Sequence, residues 1–139
     1  MTNPKADLNV ARQRLELERD FPDGQYEMRQ GRIVATIRLQ PTTFCTEYRV
    51  RITYSPGARP EIDVLSPRLV PRNGERIPHT FEGDKPCVHL QEEWSGDQSI
   101  ATTIVPWLSE WLYYYETYHA TGKWLGGGHE FRPNRKRVI

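Results

Sequence analysis

The sequence predicts a single domain of the α+β class, and three features of the pattern lead to that prediction. An amphipathic helical segment lies near the N-terminus, a group of strands with alternating apolar residues follows it, and a long aromatic-rich helix comes last. The strands carry one apolar and one polar side, as in an antiparallel sheet with one face on the core. A length of 139 residues is enough for one sizeable core and too short for two.

The first element is an amphipathic helix. Asn3 followed by Pro4 matches an N-cap and the first helical position. Apolar residues follow at helical spacing, and we expect this face to pack on the sheet. These residues are Leu8, Ala11 and Leu15, flanked by Val10 and Leu17. The turn signal of residues 22–24 ends the helix.

The strands form the second part and are expected to make an antiparallel meander. Three runs alternate apolar and polar residues with a period of two, which is typical of half-buried strands. Their apolar positions are Ile33, Ala35, Ile37 and Leu39, then Tyr48, Val50, Ile52 and Tyr54, then Ile62 and Val64. Tyr26 and Met28, just before Gly31, are compatible with a further strand, and residues 55–57 form a turn signal.

Residues 66–86 have no regular pattern and contain four prolines. A stretch of this length without secondary structure is uncommon inside a small domain and is usually functional. It ends directly at Cys87. We therefore expect an active-site loop at this place.

The last element is a long helix. Asp97 or Ser99 is its expected cap, and Pro106 either kinks the helix or begins its main body, because proline lacks an amide hydrogen. Thr121 and Gly122 supply a stop signal. The expected buried stripe consists of Ile100, Ile104, Leu108, Trp111 and Tyr115.

Composition excludes several classes of protein. The formal net charge is +1, which argues against a large basic or acidic binding face. No apolar run approaches the ~20 residues of a membrane span, and no apolar signal segment follows Met1. Two cysteines are too few for a disulfide scaffold and suit a reducing compartment. We expect a cytoplasmic protein that does not bind membranes.

Cys87 is the strongest candidate for chemistry. It ends the proline-rich segment, and His79 and His89 lie near it in sequence. A thiolate is a strong nucleophile, and a neighbouring positive charge from Lys85 or His89 would favour it at neutral pH. The alternative is that Cys87 is a small buried hydrophobic residue, and this is the expectation for Cys45.

A metal site is a second candidate that the spacing does not favour. Cys87, His89, His79 and His129 have side chains suited to zinc, but they match no standard pairing of ligands. We therefore expect neither a metal nor any other cofactor.

The C-terminal residues 129–139 form a basic tail with four positive charges and one negative charge. Such a short run gives weak, salt-sensitive attraction to nucleic acid and reads no sequence. We expect a flexible, solubilising tail, and a single domain over residues 1–128.

Aromatic residues are concentrated in the last third of the chain. Eight of the eleven tryptophans and tyrosines lie between Trp94 and Trp124. Because residues 113–115 are consecutive tyrosines, they cover about 200 degrees of the helix circumference, and some must face outward. An exposed aromatic patch indicates a partner protein. The rings expected to form this surface are Trp94, Trp111, Tyr114, Tyr115, Tyr118 and Trp124.

The order of these elements resembles the ubiquitin-conjugating (UBC-like) fold. In that family a His-Pro-Asn motif precedes the catalytic cysteine, and a Trp-Ser-Pro segment opens the next helix. The corresponding segments here are Pro78-His79-Thr80-Phe81, Cys87-Val88-His89-Leu90 and Trp94-Ser95-Gly96. The family asparagine, which stabilises the oxyanion, has no counterpart. Thr80, His89 or backbone amides are the candidate replacements.

A bacterial branch of this family is more similar still: the ubiquitin-conjugating-like proteins of anti-phage CBASS operons. The similarity covers residues 78–129. It rests on Ile104-Val105-Pro106-Trp107, Ser109-Glu110-Trp111-Leu112, Tyr115-Glu116, Thr121-Gly122-Lys123-Trp124 and Gly126-Gly127-Gly128-His129.

The resemblance implies an acyltransferase in which Cys87 forms a thioester with a partner's C-terminus. His79 would shape the loop, and His89 would lower the thiol pKa or act as a general base. The implied partner is the cyclic-oligonucleotide synthase (CD-NTase) of the same operon, and activation of its C-terminus either comes from a separate activating enzyme or is dispensed with. Two alternatives remain: an inactive UBC-like module that holds the synthase non-covalently, and a cysteine hydrolase.

Overall fold

Helix α1 spans Pro4–Asp20 in the computed structural model, which describes residues 4–126, with side chains from residue 9 onward except residue 91. Its buried face differs from the predicted one. Val10, Gln13 and Leu17 are buried, whereas Leu15 is 69% exposed and Ala11 is also exposed. The reason is that a polar residue, Gln13, occupies the centre of the buried face and was not counted in the apolar pattern. The expected Asn3 cap and the Leu8 side chain lie outside the described residues.

A four-stranded antiparallel meander follows, as predicted. Its strands are β1 (Gln25–Arg29), β2 (Arg32–Leu39), β3 (Tyr48–Tyr54) and β4 (Glu61–Ser66), in that order across the sheet. The predicted alternation is present, since successive residues of β2 and β3 alternate between the buried face and the outer face. The outer face is polar and rich in arginine.

The segment between β4 and the last helix is less irregular than predicted. Two short strands, β5 (Thr80–Phe81) and β6 (Lys85–Pro86), pair as a small antiparallel hairpin. A single 3-10 turn, Gln91–Glu93, follows. Such two-residue strands give no periodic signal in the sequence, which explains why they were not predicted.

Helix α2 spans Ile104–Thr121 and begins later than expected. Residues 97–103 form turns instead of a helical first turn capped by Asp97 or Ser99. Pro106 therefore lies in the first turn, where its missing amide hydrogen would have no helical partner. Gly122 ends the helix with a positive φ of 80°, and its amide donates to the Tyr118 carbonyl at 2.7 Å. The predicted stop is thus confirmed.

One hydrophobic core joins the inner face of the sheet to α2. The whole expected stripe is buried, including Ile100, which precedes the helix. Tyr54 lies beneath Trp94 in an edge-to-face contact with ring centroids 5.6 Å apart. The buried residues form one cluster, the single domain over residues 1–128 stays a prediction, and the expected tail of residues 129–139 lies outside the described residues. No described helix has the length and apolar character needed to cross a membrane.

Candidate active-site loop

Cys87 directly follows β6 and is buried, with 1% of its surface exposed. Its amide donates to the carbonyl of His79 at 2.8 Å, which closes the loop between them. The thiol lies 3.5 Å from the carbonyl oxygen of His89 and donates to it. Both hydrogen bonds tie the cysteine to main-chain atoms, so its position depends on the shape of the loop.

His79 shapes this loop through its backbone. Its backbone φ is +55°, in the left-handed region that residues other than glycine seldom adopt. Besides the Cys87 amide, its carbonyl accepts the indole hydrogen of Trp111 at 2.9 Å. The imidazole packs on Trp124, with ring centroids 4.7 Å apart. Helix α2 therefore holds the turn that holds Cys87.

His89 is buried, with 5% of its surface exposed. Its Nδ1 lies 2.6 Å from the carbonyl oxygen of Leu90, and because a carbonyl only accepts, Nδ1 is the donor. In the neutral ring Nε2 is then the acceptor. The ring lies near two tryptophans, with centroids 6.4 Å from Trp94 and 6.0 Å from Trp107.

Lys85 does not have the expected role of a free charge beside the cysteine. Its ammonium group contacts Glu61 at 2.5 Å and Asp63 at 2.7 Å on β4. Hydrogen bonds to Asp63 and Glu61 raise the pKa of Lys85 above its ordinary value. Two carboxylates thus balance its charge and fasten β6 to the edge of the sheet.

Thr80 stands near the place of the family asparagine and is buried. Its hydroxyl donates to the carbonyl of Ile77 at 2.8 Å. Since a hydroxyl has one hydrogen, Thr80 could reach an oxyanion only by giving up this bond.

The aromatic surface is narrower than predicted. Four of the six rings expected to contact a partner are buried in the core because α2 and its flanking turns turn them inward: Trp94, Trp111, Tyr115 and Tyr118. Tyr114 and Trp124 are half-buried, and Tyr113, which was not in the predicted set, is 41% exposed.

Two small clefts flank the Cys87 segment, and the sequence did not indicate them. The first, of about 300 Å³, is lined in part by Phe81, Lys85 and Pro86. The second, of about 260 Å³, is lined in part by His89 and Trp94. Both include residues 58–59 of the turn between β3 and β4. Residues 55–57 predicted a turn there, but no sequence signal placed it beside Cys87.

The match to a family decides what kind of protein this is. The family described as Type II CBASS E2 protein matches residues 13–131, which is most of the chain. The chain belongs to this Type II CBASS E2 family. No curated protein matches it. The α+β order of helix, antiparallel sheet and second helix is compatible with an E2-like fold.

This CBASS E2-like protein has two cysteines, which form no disulfide and lie in different surroundings. Cys45 lies half-buried between β2 and β3, where the Thr42 hydroxyl donates to its sulfur at 3.1 Å. Cys87 lies after the His79 loop in the position where the sequence resembles the family's catalytic cysteine. Among the described residues, no three metal-ligating side chains converge on either one, and His129 is outside that part of the chain.

Proposed function

We propose that this CBASS E2-like protein is an acyltransferase whose nucleophile is Cys87. Its thiolate attacks the activated C-terminal carbonyl of the operon's cyclic-oligonucleotide synthase. The C–S bond forms, and the bond to the activating group breaks as that group leaves with its electron pair. The thioester then passes the acyl group to an amine or primes the synthase. A separate activating enzyme supplies the activated carbonyl.

The observation that carries the proposal is that a hydrogen bond to the His79 carbonyl fixes the backbone of Cys87. The His79 carbonyl accepts both the Cys87 amide and the Trp111 indole hydrogen, so the residue after β6 and helix α2 both bond to one oxygen. A cysteine that served only as a core residue would not need a strained turn at His79 to fix its amide. The Cys45 amide donates only to the nearby Thr42 carbonyl, and its own backbone bonds do not involve a residue in the left-handed region.

Burial of the thiol sets a condition on this chemistry. With 1% of its surface exposed, Cys87 must become accessible before it meets an acyl donor. The β5–β6 hairpin has only two residues in each strand, and short pairings of this kind open more readily than a packed core. We expect the hairpin and the His79 turn to move, with α2 and the sheet in place.

A second candidate function, non-covalent binding of the synthase, is favoured by one observation: the Thr80 hydroxyl already donates its hydrogen within the protein. Thr80 donates to Ile77, and no asparagine stands in this stretch. A protein without an oxyanion donor would hold the synthase without a covalent bond. Backbone amides of the loop are the donors that the acyltransferase needs instead.

Co-expression with the neighbouring synthase and an E1-type activating enzyme separates these functions. Denaturing gels run with and without thiol should show a heavier species that collapses with reductant and with hydroxylamine, as a thioester does. Cys87→Ser should give a thiol-resistant ester or no adduct. Cys45→Ser is the matched control and should leave the adduct intact. If the wild-type protein and Cys87→Ser both yield only a non-covalent complex, the acyltransferase function is wrong.

A further inference from the structure

Arg59 is a positively charged residue beside the active-site loop, and a contact with Phe81 fixes its side chain. It is exposed on the turn between β3 and β4, and its guanidinium carbon lies 3.9 Å from the centroid of the Phe81 ring. This cation–π contact holds the side chain against β5. None of the carboxylates in the described part of the chain forms a salt bridge with it.

Arg59 is shared by the two clefts described above. One cleft includes Pro86, the residue before Cys87, and the other includes His89, two residues after it, and Arg59 lines both. Arg59 therefore lies next to the residues that flank Cys87 in the chain. Lys85 lines one of them as well, but Glu61 and Asp63 already balance its charge.

We propose that Arg59 binds an acidic side chain close to the C-terminus of the acyl donor and thereby selects donors with an acidic tail. This inference rests on the proposed function, because only an acyltransferase would bind the C-terminal tail of an acyl donor in these two clefts. A planar guanidinium is suited to a carboxylate and forms paired hydrogen bonds with it.

Charge and the reaction both indicate the donor tail as the occupant of the clefts. A donor tail must enter by its end, since the acyl carbon belongs to its last residue. Its terminal carboxylate is used up when the thioester forms, so a contact that persists through the reaction needs a side-chain carboxylate. Arg59 is the cation in these clefts whose charge no described carboxylate balances.

The test uses labelled eight-residue peptides that end in an amide, which removes the terminal carboxylate as a source of charge. One peptide carries glutamine throughout its last six positions, and six others carry a single glutamate at one of them. Fluorescence anisotropy with the full chain should show one glutamate peptide binding about fivefold tighter than the all-glutamine peptide. Arg59→Ala should remove the difference and Arg59→Lys should keep part of it.

Arg38→Ala is the matched control, because Arg38 is also exposed but lies on the outer face of β2. It should preserve the selectivity, whereas equal loss in both variants would show a mere net-charge effect and overturn the proposal. So would equal affinities for all seven peptides, or no binding up to about 1 mM. These readouts need no thioester, so an absent adduct in co-expression refutes the acyl transfer while leaving selectivity by Arg59 measurable.

Discussion

Trp111→Phe tests the link between α2 and the active-site loop. The substitution keeps an aromatic ring in the core but removes the indole hydrogen that the His79 carbonyl accepts at 2.9 Å. That carbonyl still accepts the Cys87 amide, so it does not become an unsatisfied buried group. We expect the His79 turn to open more often, and Cys87 to become more accessible.

The magnitude follows from the two contacts that change. Loss of the hydrogen bond lowers the free energy of unfolding by about 1 kcal/mol. The smaller ring lowers it by about 1–2 kcal/mol more, because only 3% of the Trp111 surface is exposed. The hydrogen bond acts on local opening of the turn, whereas the ring acts mainly on global unfolding. A local effect of about 1 kcal/mol corresponds to about fivefold faster modification of Cys87.

The assay is native-state alkylation with iodoacetamide, followed by peptide mapping to measure Cys87 and Cys45 separately. Urea unfolding of the same variants gives the change in global stability. Cys45 is the internal reference because it lies between β2 and β3, away from the substituted contact. Its rate should stay unchanged in Trp111→Phe while the Cys87 rate rises.

Leu17→Ala is the comparison that distinguishes local opening of the loop from global unfolding as the route by which Cys87 is exposed. Leu17 is fully buried in α1, and its truncation should cost about 2–5 kcal/mol of global stability. If Cys87 is exposed by local opening, this variant leaves its alkylation rate almost unchanged. Faster alkylation in Leu17→Ala than in Trp111→Phe would mean that Cys87 reacts only through global unfolding, and the local reasoning would fail.

Three further predictions follow from the same geometry. Burial, with the nearby acidic groups, raises the pKa of Tyr26 to about 12, so between about pH 10 and 12 the unfolded state loses its proton first and stability falls as pH rises. Tyr26→Phe should flatten that fall in urea midpoints. His79→Asn, which tolerates a positive φ, should keep Cys87 protected from alkylation, whereas His79→Val should expose it. Gly122→Ala should lower the free energy of unfolding by about 1 kcal/mol, because its φ is +80°.

The sheet and the buried stripe of α2 were predictable because each follows one period. Alternation with a period of two gave β2 and β3, and the spacing of Ile104, Leu108 and Trp111 gave the inner face of the helix. The same reasoning chose the wrong face of α1. Gln13 is fully buried there because its amide donates to the Gln98 carbonyl and accepts from the Ile100 amide. A polar residue that is buried by long-range hydrogen bonds leaves no apolar signal.

The active-site loop was only half predictable for a related physical reason. The prolines and Cys87 marked where the loop lies, and the resemblance marked which cysteine to examine. The partners that shape the loop are main-chain carbonyls, and a carbonyl is the same for every residue type. Nor does the sequence indicate that Arg59 of the β3–β4 turn meets Phe81 of β5, since that contact depends on how the turn packs against the small hairpin.

The burial of Cys87 says more about when its thiol can react than the histidines near it in sequence do. A permanently exposed thiolate would react with any electrophile, whereas one that is covered until the loop moves reacts only with a donor that binds long enough. Two hydrogen bonds on the His79 carbonyl oxygen couple the Cys87 backbone to α2. Tyr114 of α2 and Trp124, which follows the helix, are half-buried, and their ring centroids lie 6.3 Å apart. A partner that contacts these rings would therefore act on the element that holds the active-site turn.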